Sequence, residues 1–261
     1  MTIRSSRSPA LATLLLLAVT TACGGSDAEG APSEAPGSER TAGPDRSADS
    51  PAPPNTLTPA EREAGWRLLF DGETLEGWRG YGMETIPEGW AVVDGTLARV
   101  SEAADIITIE QFSDFELSID WKLDPGGNSG VFYRAAEGED WIYQSAPEMQ
   151  LLDDARHPDG ESPLTSAGSA FGLYPAPRGA VRPAGEWNES RVVIEGNHVR
   201  HWLNGTLVVD YELHSPDWVE RVRNSKFNNW PAYGQAERGH IGLQEHGGSI
   251  WFRNIKIREI G

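Results

Sequence analysis

The chain has 261 residues, 38% of them hydrophobic and 23% charged, a balance that fits a globular protein and excludes collagenous, coiled-coil and wholly disordered chains. Lys and Arg number 22 against 39 Asp and Glu, a formal charge of −17, and a field of that sign repels a phosphate backbone, so no nucleic-acid partner is expected. A single cysteine excludes an internal disulfide and cysteine-rich metal sites, which leaves one acidic domain rich in Trp (10) and Gly (29).

Residues 1–22 read as an export signal: Arg4 and Arg7 without an acid, an apolar run from Leu11 to Val19, then Thr20-Thr21-Ala22-Cys23. The run is shorter than a permanent membrane-spanning helix needs. Its end resembles the cleavage point of a bacterial lipoprotein signal, so Cys23 is expected to become a lipidated N-terminus, where several acyl chains anchor stably. Loss of residues 1–22 removes two positive charges and no acid, leaving 20 basic against 39 acidic residues, or −19. Gly24, rather than Asp, follows the cysteine. That favours an outer-membrane destination, in the periplasm or at the cell surface, with the membrane touched only through the anchor. From Gly24 to about Ala60 there is no aromatic residue, and Ala, Pro, Ser, Gly and Glu recur. Such a stretch cannot bury enough apolar surface to offset its ordering entropy. Residues 23–60 are therefore predicted to be a tether and residues 61–261 the domain, which holds all ten tryptophans from Trp66 to Trp251.

Thr58-Pro59-Ala60-Glu61 predicts a helical turn or two, with Thr58 as cap and Glu61 closing the box. Phe115, Leu117, Ile119, Trp121 and Leu123 alternate with polar residues and predict a strand with one buried face. Asp94-Gly95, Gly196-Asn197, Asn204-Gly205 and Gly247-Gly248 are turn dipeptides that accept positive φ. They predict antiparallel hairpins, among them His198–Leu203 with Thr206–Tyr211 and His240–Glu245 with Ser249–Ile260. Residues 135–146 and 153–182 lack alternation and read as long loops, which in a compact domain tend to be functional. Short strands and frequent turns, with no long 3.6-period segment, predict an all-β jelly-roll sandwich of two antiparallel sheets with a concave face.

On a strand, Glu148 and Gln150 project from one face and Met149 and Leu151 from the other. Asn128-Ser129-Gly130 enters a strand ending at Arg134, Asp153 follows Leu152, and Gln244 and His246 alternate beside Gly247-Gly248. These clusters of acid, amide and imidazole suit proton transfer on a sugar or binding of its hydroxyls. His198, Arg200 and Trp202 alternate with Val199, His201 and Leu203, with the inward face undecided. No nucleophile elbow, phosphate loop or His-Glu-x-x-His is present, so acyl and phosphoryl transfer are unsupported.

Several stretches together resemble the 3-keto-disaccharide hydrolase family: Trp66-Arg67-Leu68-Leu69-Phe70-Asp71-Gly72 with Gly77-Trp78, Asn128 to Arg134, Glu148 to Asp153, Pro183 to Asn188, His201 to Gly205, Gly242 to Gly247, and Trp251 to Arg258. The resemblance covers residues 66–261 in order. It implies a concanavalin-like jelly roll, often exported or lipid-anchored, acting as a 3-keto-glucoside 1,2-lyase or a 3-keto-2-hydroxyglucal hydratase. A C3 ketone acidifies the C2 proton, so a base can remove it, the group at C1 leaves and water adds back. Glu148 or His246 is the expected base, with Gln150 beside them. Gln150, Gln244 and Asn128 are expected to contact hydroxyls and the oxyanion, and Arg134, Asp153 and His201 to complete the pocket. Lys226 is a rim candidate, although a solvated lysine is the simpler account. Glu148, Asp153 and His246 could hold a divalent cation, and no organic cofactor is expected. The expected partners are an oxidised 3-keto glucoside or disaccharide and a sugar 3-oxidoreductase. Two alternatives are a non-catalytic cell-surface carbohydrate-binding module and a Trp-rich interaction domain.

Overall fold

The computed structural model describes residues 52–261. The expected signal, Cys23 and the tether through residue 51 lie outside the described residues. Among the described residues thirteen strands, numbered in chain order, form two sheets. The larger runs β11 (Thr206–Glu212), β10 (His198–Leu203), β9 (Asn188–Glu195), β6 (Phe115–Leu123), β13 (Ile250–Glu259), β4 (Thr96–Arg99) and β3 (Trp90–Val93), and β1 (Arg67–Leu68) also pairs with β13. The smaller runs β2 (Trp78–Gly80), β5 (Ile106–Phe112), β12 (Gly239–Leu243), β7 (Asn128–Ala135) and β8 (Glu148–Leu152). All these pairings are antiparallel, and the architecture is the all-β jelly-roll sandwich read from the sequence.

The alternation in β6 does what period two requires. Phe115, Leu117, Ile119, Trp121 and Leu123 are buried in one core with Val131, Tyr133, Met149, Leu151, Ile241 and Leu243 of the smaller sheet. Burying each large side chain stabilises the fold by roughly 1.5–3 kcal/mol. A second, smaller apolar cluster lies on the smaller sheet's other side and contains Ile107, Phe132, Ala135, Ile142 and Ala146.

Asp94 (φ 48°) with Gly95 (φ 73°) and Asn204 (φ 49°) with Gly205 (φ 79°) take the left-handed conformations that two-residue hairpins need. They join β3 to β4 and β10 to β11, as expected. The Gly247-Gly248 hairpin is corrected. The positive φ values are there, but β12 belongs to the smaller sheet and β13 to the larger, so this segment crosses between sheets. A turn dipeptide reports local backbone freedom, whereas sheet membership is decided by distant partners.

Helix α1 (Pro59–Glu63) has the reciprocal Thr58–Glu61 capping box that was expected. The ordered domain begins before residue 61, because the buried Asn55 exchanges backbone and side-chain hydrogen bonds with Asn254 at 2.6 and 2.8 Å. A second helix, α2 (Pro216–Arg223), was not foreseen. Ser215 caps it, Pro216 starts it and Trp218 anchors it in the core. Its two turns are too short for the sequence period to stand out.

Candidate active site

Because β8 alternates, Met149 and Leu151 enter the core while Glu148 and Gln150 project from the smaller sheet's opposite face. Register then supplies their neighbours. Gly130 of β7 lies opposite Gln150 and Phe132 opposite Glu148, with Asn128 on the same face of β7. The Gln244 amide N–H donates to the Gly130 carbonyl at 2.9 Å, which brings the end of β12 alongside. Gly130 is what lets Glu148 lie flat, since a Cβ there would overlap the Glu148 carboxyl.

These four polar side chains are poorly paired. Glu148 Oε1, both side-chain amide atoms of Gln150, Asn128 Oδ1 and Gln244 Oε1 are buried and have no hydrogen-bond partner among the described residues. They make up five of the eight such atoms found there, and Ser169 Oγ is a sixth. Each unpaired buried group costs about 1–3 kcal/mol, so their concentration on one face marks a surface built for something other than stability. Glu148 is 6% exposed, and burial pushes its pKa up to about 8, with Asp105 and Asp159 reinforcing and Lys226 opposing the rise. The Glu148 carboxyl therefore keeps its proton near neutrality and can both give and take one close to pH 8.

Lys226 stands over this face. The residue as a whole is exposed, but its ammonium lies 4.6 Å from the Phe171 ring centre and 5.1 Å from that of Tyr143. Desolvation of the ammonium lowers its pKa, while Glu148 and Asp159 pull the other way. Two clefts lie near this lysine, which lines the first and packs its ammonium against Tyr143 of the second. One, of about 510 Å³, is lined by Lys226, Phe171, Phe227, Leu164 and residues of α2. The other, of about 610 Å³, is lined by Tyr81, Met83, Trp141, Tyr143, Asp105, Gln244, Glu245 and the exposed His246. Asp105 is a titratable group that the sequence reading missed. It accepts the Glu245 N–H at 2.7 Å, and burial pushes its pKa up to about 6. It sits alone before an apolar run, without the polar company that singled out Glu148.

Of the expected site residues, Glu148, Gln150, Asn128, Gln244 and Lys226 come together, and His246 lies farther out in the larger cleft. Three others serve the framework instead. Arg134, next to last in β7, takes a left-handed conformation (φ 50°) that breaks the alternation. Its guanidinium donates to the Ser113 carbonyl, Asp114 Oδ1 and the Gly196 carbonyl. Asp153 accepts the Gly126 and Ala155 N–H groups at 2.8 and 3.2 Å, fixing the backbone beyond the end of β8. His201 points into the core with Val199 and Leu203. It lies 3.0 Å from the Tyr133 hydroxyl and 3.1 Å from the Gly168 carbonyl, and burial lowers its pKa to about 4. Glu148, Asp153 and His246 do not close into a metal site; no group of three or more His, Cys, Asp or Glu side chains able to hold an ion occurs among the described residues.

Fold and site together define a β-sandwich protein with a carboxyl-centred polar face on its smaller sheet. Residues 65–258 match the 3-keto-alpha-glucoside-1,2-lyase-like domain, and the chain belongs to that family. It is 35% identical over 226 residues to a 3-keto-disaccharide hydrolase of Bacteroides thetaiotaomicron, covering 74% of this chain and 78% of the relative. A crystal structure of a putative glycosyl hydrolase from Parabacteroides distasonis superposes with a TM-score of 0.75 at 32% identity, covering 80% of this chain and all of that one. A second from the same organism gives 0.60 at 31% identity over 75% of this chain and 99% of its own.

Proposed function

We propose that the domain hydrolyses 3-keto-disaccharides, and does so by elimination followed by hydration. Glu148 takes the C2 proton, the electron pair of that bond moves toward C1, and the C1–O bond breaks with its pair going to the leaving oxygen, which picks up a proton. Water then adds across the double bond, hydroxyl to C1 and proton to C2, and the sum is hydrolysis. The observation that carries this reading is the buried Glu148 carboxyl, which has a pKa near 8 and an oxygen free of partners among the described residues. Gln150, Asn128 and Gln244 offer amide groups to sugar hydroxyls. Lys226 is the cation whose charge acts on the Glu148 carboxyl, and it suits the negative charge that develops on the C3 oxygen. His246, exposed and farther out, is assigned to the mouth rather than to proton abstraction. The name of the Bacteroides relative supports the substrate class.

In the same reading the chain is exported and anchored through a lipidated Cys23. Its substrate is supplied by an oxidoreductase acting on C3 of a glucoside, since a 3-keto sugar arises by oxidation of that hydroxyl. The test is to mix the purified full chain with a 3-keto-glucoside, with and without a chelator, and to follow leaving-group release and the ultraviolet absorbance of an unsaturated keto sugar. Release with a transient absorbance is expected. Loss of release in chelator would add a divalent cation to the mechanism, and saturable binding without product would make the domain a sugar-binding module.

A further inference from the structure

The proposed reaction has two partners to hold, the keto ring and the group that departs, and two clefts carry groups whose charge acts on the Glu148 carboxyl, Lys226 in one and Asp105 in the other. The cleft of about 610 Å³ combines the rings of Tyr81, Trp141 and Tyr143 with Asp105 and Gln244. Trp141 is 59% exposed and Met83 44%, large apolar surface turned to solvent at its walls. Ring faces beside carboxylates suit a sugar, whose C–H face stacks on an aromatic ring and whose hydroxyls donate to oxygen. No lysine or arginine lines the cleft. The nearby Arg99 is paired to Glu245 at 2.5 Å and so offers no free cation, while the Asp140 carboxylate repels an anionic occupant. Lys226, the cation suited to the enolate oxygen, lines the other cleft. That places the keto ring on the Lys226 side of Glu148 and the C1 substituent on the Asp105 side.

We infer that the cleft beside Asp105 receives the leaving group, a neutral sugar ring stacked on Trp141, and that Asp105 gives a proton to the departing oxygen; this rests on the elimination reading above. The protons balance across the cycle. Glu148 gains the C2 proton as Asp105 loses its own to the leaving oxygen. During hydration Asp105 takes a proton from water as the hydroxyl adds to C1, and Glu148 returns its proton to C2. Because Glu148 binds its proton more tightly, the reactive form is the minority one in which the proton sits on Asp105. Burial raises its pKa to about 6 and Glu245 adds to the rise, while the hydrogen bond from the Glu245 N–H lowers it. Asp140 and His246 share the cleft, and the Glu148 carboxyl is raised in turn by Asp105.

The test compares a 3-keto-disaccharide with methyl and nitrophenyl 3-keto-glucosides. Trp141→Ala is expected to lose at least about tenfold more kcat/KM on the disaccharide than on the methyl glycoside. Asp105→Asn is expected to lose about a hundredfold on the disaccharide and far less on the nitrophenyl substrate, whose leaving group departs without an acid. Equal losses across the substrates would overturn the inference. An independent readout needs no chemistry: glucose should quench tryptophan fluorescence in the full chain and not in Trp141→Ala, and glucose 6-phosphate should bind far more weakly. If no keto-glucoside turns over, the elimination reading fails alone where this quench persists, and the cleft stands as a neutral-sugar site. If glucose gives no Trp141-dependent quench, or the phosphate ester binds equally well, the cleft assignment fails.

Discussion

Strand β7 separates two buried polar clusters that differ in one respect. On its inner side the Tyr133 hydroxyl meets His201 at 3.0 Å and the Tyr211 hydroxyl at 2.8 Å, and His201 reaches the Gly168 carbonyl at 3.1 Å. On its outer side Glu148, Gln150, Asn128 and Gln244 all keep buried atoms without partners among the described residues. The inner cluster joins the two sheets, and its polar groups complete one another. The outer cluster adds nothing to that cohesion and leaves its donors and acceptors to a sugar. Burial of a polar residue is common to both; what separates framework from site is whether the partner comes from the protein itself.

Substitutions at four positions bear on this contrast. Glu148→Gln should lower kcat by about 10³-fold, within the range set by loss of a general base. It should also stabilise the fold. With a pKa of about 8 in the folded state against an ordinary 4.5, the carboxyl's contribution to stability is complete below about pH 4.5 and is lost as the pH rises to about 8. The melting temperature of the variant relative to the parent should therefore rise from pH 5 to pH 8. Turnover of a nitrophenyl 3-keto-glucoside, which needs the carboxylate, should increase through about pH 8 in the parent.

Lys226→Met should cost about a hundredfold in kcat/KM and move that ascending limb to higher pH, since the lysine favours the Glu148 carboxylate. An unchanged limb would remove Lys226 from the site. His201→Ala should destabilise by about 2–4 kcal/mol, through a cavity and the stranded Tyr133 and Gly168 groups, with kcat held within a few-fold. The acid limb sharpens this. A histidine with pKa near 4 in the fold and 6.5 outside it supports stability above about pH 6.5, and that support is lost as the pH falls toward 4. Urea midpoints of His201→Gln should accordingly fall less steeply than those of the parent between pH 7 and 4. The smallest effect belongs to Gln150→Leu, about tenfold in kcat/KM with stability equal or higher, because two unpaired buried atoms are replaced by methyl groups. A strong loss of stability there would erase the distinction between the clusters.

What could be read from the sequence follows the range of the interactions involved. The strand Phe115–Leu123, the helical cap at Thr58 and the hairpins at Asp94-Gly95 and Asn204-Gly205 are written in adjacent residues, and all were legible. Glu148 and Gln150 were legible as a pair because period two places them on one face. Arg134, Asp153 and His201 shared the same residue chemistry and were misassigned, since their partners (Ser113, Gly126, Tyr133) lie 20 or more residues away and leave no mark nearby. Asp105 went unseen for the complementary reason: its environment is made by Glu245, 140 residues on. The crossing at Gly247-Gly248 was hidden because the sheet that a strand joins is chosen by distant partners.

The clasp between Asn55 and Asn254 has a mechanical consequence. Asn254 lies within β13, which is flanked by β6 and β4 in the middle of the larger sheet. Tension on the chain before residue 55 would reach that central strand at the clasp, ahead of α1 and β1. A pull from the N-terminal side is thereby shared with the best-connected part of the sandwich instead of peeling it from the edge.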